Sequence, residues 1–394
     1  MTNEKKHIPS GYKSSPLGII PEDWKVKRIG DFAPLQRGFD LPTDKIIKGN
    51  YPVVYSNGIL NYHHEYKVKG PGVVTGRSGT IGKVTYVESD YWPHNTSLWV
   101  TDFKNNDPQY VFHLYKYLDL SKFSSGSGVP TLNRNDVHSY KIAVPPLPEQ
   151  HRIVSVLSLW DTAIAKQTAL IEKLTLRKRG LMQQLLTGKK RLKGFEGEWK
   201  LIKLGDIAER ITRKNEENNQ NVVTISAQRG FVVQTDFFNK SVASETLDNY
   251  FLVHRDEFCY NKSYSNGYPM GAIKRLKTFD KAVVTTLYIC FALKGETATN
   301  IDFFEQYCES GIFNKELVKV ANEGGRAHGL LNVTPSDFFN MHMSVPSINE
   351  QNAIASVLVN ADKEIEIQKQ KLSSLQEQKK GLMQVLLTGK KRIK

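Results

Sequence analysis

Two stretches of the chain place apolar side chains in alternating steps of four and three. The first runs through Ile153, Leu157, Trp160, Ile164, Gln167, Ile171, Leu174, Lys178, Leu181 and Leu185. The second runs through Ile354, Leu358, Ala361, Ile365, Gln368, Leu372, Leu375, Lys379, Leu382 and Leu386. This is heptad spacing, and it predicts two long helices packed as a coiled coil. Pro148 or Asn349 followed by Glu-Gln supplies a first turn with a carboxylate at the positive end of the helix dipole. Thr187-Gly188 and Thr388-Gly389 supply the stop, because glycine adopts the left-handed conformation that closes a helix. About 39 residues at 1.5 Å each give rods of roughly 60 Å. Gln and Lys recur at matching seam positions. Gln167 facing Gln368 would fix register in an antiparallel pair; the alternative is that these polar side chains snorkel to the surface. Gly180 and Gly381 interrupt the helical pattern, marking either a close approach of another backbone or a bend, at about 1 kcal/mol relative to Ala.

The two helical stretches are copies. Val144 to Lys193 and Val345 to Lys394 align without a gap and are identical at half of their positions, a self-similarity that constrains architecture more than any single motif. A weaker echo opens each half: PEDWKVKRIGDFA from Pro21 matches FEGEWKLIKLGDIAER from Phe195, setting Trp24 over Trp199 and Gly30-Asp31 over Gly205-Asp206. The order is variable region, repeat, variable region, repeat. The expected boundaries are 1–146 and 194–347 for the variable domains, and 147–193 and 348–394 for the helical repeats.

The variable regions lose the helical period. They show short β-rich runs bounded by Gly, Asn and Pro, such as YPVVYSNG, GVVTGRSGTIGKVTYV, NVVTISAQRGFVV and KAVVTTLYICFAL, which predict strand-dominated α+β globules. Short helices are expected near Pro108 to Leu120 and Asp302 to Asn322. The two globules share an outline: Gly76-Arg77-Ser78 answers Asn261-Lys262-Ser263, Gly82 answers Gly271, and Leu132-Asn133 with Asp136 answers Val333-Thr334 with Asp337. The fold class is α+β: two strand-rich domains separated by two long antiparallel coiled-coil helices, with a pseudo-two-fold internal repeat.

Charge and composition narrow the function. The 394 residues include 54 Lys+Arg against 40 Asp+Glu, ten His and three Cys. A surplus of fourteen positive charges favours a polyanionic partner. No apolar run approaches a membrane span, so a soluble cytoplasmic protein is expected. Cys259, Cys290 and Cys308 are widely spaced, which argues against a disulfide framework or a structural zinc site.

Catalytic signatures are missing from the sequence. Gly76-RSGTI-Gly82-Lys83-Val84 has five residues between its glycines and no hydroxyl after the lysine, so it reads as a tight turn rather than a phosphate loop. Asp107-Pro108-Gln109-Tyr110 is only a near miss to an amino-methyltransferase motif, and no glycine-rich dinucleotide fingerprint follows a strand. Asp44 with Glu65-Tyr66-Lys67 has nuclease-like residue types without an equivalent in the second half. His63-His64 reads as a surface pair, with no metal expected. Trp24 and Trp199 read as core residues with a solvated rim of charge around them.

These features resemble the specificity (S) subunit of type I restriction-modification enzymes over essentially the whole chain. The resemblance is carried by PPLPEQHRI and PSINEQNAI at the helix openings, GLMQQLLTGKKR and GLMQVLLTGKKR at their ends, and the repetition itself. It implies a non-catalytic subunit whose two target recognition domains each read half of an interrupted double-stranded DNA site. It further implies two modification subunits using S-adenosylmethionine, and restriction subunits using ATP and Mg. This chain itself would hold no cofactor. The alternative is a silent assembly or competitor protein that binds methyltransferase subunits without selecting DNA.

Base and phosphate contacts need basic, amide or hydroxyl side chains on exposed loops. The candidates are Asn57, His63, His64, Lys67, Arg77, Ser78, Asn95, Thr96, Asn133 and Arg134 in the first domain. In the second they are Gln228, Arg229, Asn261, Lys262, Ser263, Tyr264, Asn266, Arg326 and His328. Because Arg77-Ser78 and Lys262-Ser263 recur, they suit the frame or phosphate better than base reading. The extra apolar residues of LMQQLLTG and LMQVLLTG suit either a partner subunit or the chain's own globules. Divided along the repeat, the four segments carry net charges of +5, +7, −2 and +4. Most of the surplus therefore lies in the helical repeats, and the second domain needs local patches or partners to hold DNA.

Overall fold

The structure is a computed structural model, described for residues 8–125, 130–235, 247–295, 299–321 and 331–393. The chain forms two compact units, residues 1–168 with 370–394 and residues 169–369. Each contains one globule and part of both long helices. The predicted helices are α3 (Leu147–Leu185) and α6 (Ile348–Leu386), each 39 residues long.

In the first unit, β1 (Lys25–Arg28) pairs antiparallel with β9 (Lys141–Val144), the strand that feeds α3. A four-stranded sheet runs in the order β2 (Leu35–Arg37), β8 (Ser97–Val100), β5 (Gly72–Gly76), β6 (Val84–Val87). Beside it lies a three-stranded sheet in which β3 (Tyr51–Tyr55) is flanked by β4 (Gly58–His63) and, in parallel, β7 (Trp92–Pro93). Helix α1 (Pro108–Leu118) starts at Asp107, whose carboxylate accepts from the backbone of Gln109 and Tyr110, with proline preorganising the first turn. Helix α2 (Arg134–Ser139) is capped by Asn133. The core joins Trp24, Phe32, Tyr110 and Tyr115 to Ile153 and Leu157 of α3 and to Met383 and Leu386 of α6.

The second unit repeats the frame. β10 (Lys200–Lys203) pairs with β19 (His342–Val345), which feeds α6. The four-stranded sheet again has one order: β11 (Ala208–Ile211), β18 (Ile289–Leu293), β15 (Phe258–Asn261), β16 (Ala272–Arg275). What differs is the second layer, a hairpin of β12 (Val223–Ser226) and β13 (Gly230–Val233) with a pair formed by β14 (Phe251–His254) and β17 (Lys281–Val284). Helices α4 (Ile301–Glu309) and α5 (Pro335–Phe339) match α1 and α2 and are capped by Asn300 and Thr334. Cys259 and Cys290 face each other across β15 and β18 as buried free thiols.

The helix openings and ends of the two copies meet in both units. Gln150 accepts the Asp107 backbone N–H at 3.0 Å and Gln351 accepts that of Asn300 at 2.9 Å, so the Gln of each Glu-Gln pair holds the start of a globular helix. Glu149 receives Arg392 at 2.6 Å and Trp24 Nε1 at 2.9 Å; Glu350 receives Arg191 at 2.5 and 2.6 Å. Asp23 also binds Arg392, at 2.8 Å. Trp24 is core and Asp23 is exposed on the rim, both as expected, and there Asp23 pairs with Arg392 because the end of the second repeat reaches it.

Within each unit the helices run antiparallel, as the paired residues show: Asp161 with Lys379 and Glu149 with Arg392 in the first, Lys178 with Asp362 and Arg191 with Glu350 in the second. Lys379 is 5% exposed. Ion pairing, not snorkelling, therefore accommodates it in the seam. Gln167 is buried and Gln368 half-buried. The apolar residues at the helix ends, Met182, Leu185 and Leu186 in one copy and Met383, Leu386 and Leu387 in the other, pack into their own unit's core.

Neither Gly180 nor Gly381 approaches another backbone, since a Cβ there would meet no atom within 4 Å. Gly180→Ala and Gly381→Ala should each stabilise the isolated chain by about 1 kcal/mol through helix propensity. Gly389 is the opposite case: its φ is +71° and a Cβ would lie 2.5 Å from Pro21 Cδ. Gly389→Ala should cost about 1–2 kcal/mol. At Gly188 the nearest atom is Trp199 Cε2 at 3.4 Å, so Gly188→Ala should cost less. Thermal denaturation of the four variants checks both signs.

Candidate nucleic-acid interface

The equivalent strands β5 and β15 end in the two basic turns. Beyond β5, the backbone N–H groups of Arg77 and Ser78 donate to the Thr96 carbonyl at 2.9 and 3.2 Å, and the Arg77 carbonyl accepts from Leu132 at 2.8 Å. Beyond β15, the Lys262 carbonyl accepts from Leu331 at 3.1 Å. Each basic residue is thus held by its backbone to the segment leading into a short capped helix. The glycines that return the chain, Gly82 and Gly271, both have positive φ, +79° and +74°. The shared outline read from the sequence has a common geometric basis.

The first site gathers Asn57, Arg77, Ser78, Asn95 and Thr96. The Thr96 hydroxyl accepts from Ser56 N at 3.3 Å and lies 3.0 Å from His94 Nδ1, whose ring centre is 4.3 Å from that of Tyr55 with the planes tilted by 35°. Burial lowers the pKa of His94, favouring the neutral ring. Asn95 donates to Asp40, and Lys83 donates to the Asn57 carbonyl. Lys83 thereby joins this cluster as a further candidate, marked in the sequence only by the glycine-lysine turn. Asn133 is exposed but serves α2 as its cap, accepting from Asn135 N at 3.0 Å, and Arg134 is exposed in the first turn.

His63 requires a correction. It is 4% exposed, with its ring edge-on to Trp92 at 5.3 Å and Nδ1 3.2 Å from the backbone of Ile47. It closes β4 facing the interior and cannot present its ring to a groove. His64 and Lys67 are exposed; Lys67 lies over the Trp92 ring at 4.8 Å. The ligand atoms of His63, His64 and Glu65 lie within 4.8 Å of one another. His64 and Glu65 form an exposed pair at 3.6 Å.

The second site gathers Gln228, Arg229, Asn261, Lys262, Ser263, Tyr264 and Asn266. Gln228 donates to the Asn266 carbonyl at 2.9 Å; Asn261 donates to the Ile225 carbonyl at 3.1 Å and accepts from Ser263 N at 3.0 Å. These bonds tie the β12–β13 turn to the turn after β15. Tyr264 is 65% exposed. Lys262 is half-buried, and desolvation lowers its pKa. Arg326 and His328 lie outside the described residues.

The acidic character of this globule is absorbed elsewhere. Arg275 alone binds Asp256, Asp302 and Glu305 at 2.6, 2.7 and 3.3 Å, and Lys274 binds Glu309 at 2.6 Å. Further carboxylates are matched by Arg213, Arg255 and Lys281. The net −2 of this segment therefore does not describe the charge at the Gln228 to Asn266 rim.

Two matched frames, each gathering different polar loops around the end of an equivalent inner strand, define a sequence-reading module. Residues 21–176 match the family described as "Type I restriction modification DNA specificity domain". The chain is 25% identical to the type I restriction enzyme MjaVIII specificity subunit of Methanocaldococcus jannaschii, over 95% of this chain and 94% of that protein. It is 26% identical to the putative MjaX specificity subunit of the same organism, over 97% of each. Among solved structures, the type I S subunit from M. genitalium superimposes with a TM-score of 0.57 at 16% identity, covering 92% of this chain and 96% of that one. A chain from a study of complex assembly and conformational transition in the type I R-M system gives 0.53 at 15% identity, covering 94% and 99%. Over nearly its whole length the chain is similar to specificity (S) subunits of type I restriction-modification systems, and its function is that of the DNA specificity subunit of such a system. Subunits of this family are non-catalytic. No helix among the described residues is long and apolar enough to cross a membrane.

Proposed function

We propose that the two globules read the two unlike halves of one interrupted DNA site, and that α3 and α6 set the unread spacer and dock two modification subunits. The observation carrying this reading is that topologically matched frames bear different loops around the end of an equivalent strand. Domain boundaries at 1–146, 147–193, 194–347 and 348–394 follow from it. Half-sites centred about one turn of B-DNA apart, roughly 34–36 Å, suit two related reading domains on one face of the duplex. Gln167 and Gln368 belong to the register of the helical seam. S-adenosylmethionine is assigned to the modification subunits, ATP and Mg to restriction subunits, and the complex to the cytoplasm.

The test is domain exchange. With residues 200–346 replaced by another variable region and the chain reconstituted with modification subunits, mapping methylated adenines should return one unchanged half-site and one new one. An unchanged target would favour the silent assembly protein instead.

Within the sites, Arg77 and Lys262 are assigned to phosphate and the Gln228-Arg229 turn to bases. Arg77→Ala and Lys262→Ala should weaken binding to all duplexes alike and each reduce the slope of log K against log salt by about 1. Gln228→Ala should instead relax the base preference at one position. Binding titrations on cognate and mismatched duplexes at several salt concentrations separate the two classes.

A further inference from the structure

Each unit has a polar layer in its helix seam that joins both long helices at the level of a globular helix. In the first, Lys379 of α6 binds Asp161 of α3, and His113 of α1 places Nε2 3.9 Å from the same carboxylate. In the second, Lys178 of α3 binds Asp362 of α6 at 2.6 and 2.7 Å, and Gln306 of α4 donates to Asp362 at 2.7 Å. His113 and Gln306 each stand six residues beyond the caps Asp107 and Asn300. Asp161 and Asp362 each stand eleven residues beyond Gln150 and Gln351, the side chains that hold those caps. Along the long helices these two levels lie about three turns apart; the globular helix of the second unit is hydrogen-bonded at both, whereas in the first His113 stands beside Asp161 beyond hydrogen-bond distance. The upper level is also where the long helices bind each other.

In each pair the lysine side chain is largely buried, at 6% and 14% exposed, and the aspartate is nearly half exposed, at 43% and 46%; such a pair adds little net stability, but separating it strands a buried ammonium, which is costly. Such a layer discriminates between registers more than it stabilises any one of them. A slip of one turn would carry Lys379 from Asp161 toward the apolar seam residues Leu157 or Ile164. Heptad spacing alone tolerates slips that this layer forbids.

We infer that Lys379, Asp161 and His113 in one unit, and Lys178, Asp362 and Gln306 in the other, are positioning residues that fix the helix register and so select a single spacer length between half-sites. The inference rests on the proposal that the helices set the spacer. One helical turn is about 5.4 Å and one base pair about 3.4 Å, so release of register should admit spacers about one or two base pairs from the native one.

The full chain, reconstituted with modification subunits, is tested on DNA libraries carrying both half-sites at varied spacers. The quadruple variant D161L/K379M/K178M/D362L, with the neutral D161N/K379Q/K178Q/D362N as a second form, should methylate shifted spacers at least about tenfold more than the parent. The bases read should stay unchanged. The charge-exchanged form D161K/K379D/K178D/D362K should restore single-spacer selectivity. Retention of one spacer by both neutralised forms, or equal relaxation in the exchanged form, would overturn the inference. Insertion of seven residues into each helix is the separate control: an unmoved spacer there defeats the reading of the helices as the spacer device, whereas a moved spacer with inert layer variants defeats only the layer.

Discussion

Glu149→Ala should lower the stability of the first unit by about 3 kcal/mol, the low end for breaking a buried ion pair. The Glu149 side chain is 2% exposed. Its removal takes the acceptor from the buried Trp24 indole and leaves Arg392 with Asp23 alone. Glu149→Gln keeps an acceptor for the indole and should lose less than half as much. Glu350→Ala should also be milder, because Arg191 retains the carbonyls of Gly197 at 2.7 Å and Glu196 at 3.3 Å. Urea denaturation followed by tryptophan fluorescence gives all three values. A loss from Glu350→Ala equal to that from Glu149→Ala would contradict the asymmetry of the two networks.

Acid should weaken the first unit through His113. Burial is the largest cause of its lowered pKa, to about 4; Lys379 and Lys116 lower it further, while Asp161 and Asp107 oppose them. In the unfolded chain the imidazole titrates near its ordinary value, about 6.5. Between those values the unfolded state binds more protons, so stability rises with pH across the window. The contribution is complete above about pH 6.5 and falls away as pH drops toward 4, by about 2 kcal/mol between pH 7 and pH 5. His113→Gln, which installs the residue type of the matching position Gln306, should remove this part of the pH dependence. Parallel unfolding curves for the parent and His113→Gln at pH 7 and pH 5 make the comparison; an unchanged difference would exclude His113 as its source.

The acid response shows how far a repeat can be read. The α1 and α4 positions of His113 and Gln306 are equivalent in the fold, yet the segments carrying them have little sequence in common, so nothing local marks either as a partner of the long helices. The lysines of the seam were visible as polar interruptions of a heptad. Their aspartates were not, since Lys178 with Asp362 and Lys379 with Asp161 are separated by 184 and 218 residues. The basic turns were legible as a shared outline because each follows an equivalent strand. His63 was misplaced outside because which way the end of β4 faces depends on Trp92 and Ile47, contributed by other segments.

By itself the sequence determined what depends on fixed offsets: the duplicated frame, the two 39-residue helices, the strand-rich globules and the short helices that begin near Pro108 and Asp302, together with the family resemblance these carry. Only the tertiary structure decided which copy's Glu meets which copy's Arg, which aspartate neutralises which lysine, and which polar loops gather around one strand end. The physical reason is range. Periodicity and capping are set within a few residues, whereas ion pairs and loop clusters depend on register between segments far apart in the chain, and a heptad pattern is compatible with more than one such register.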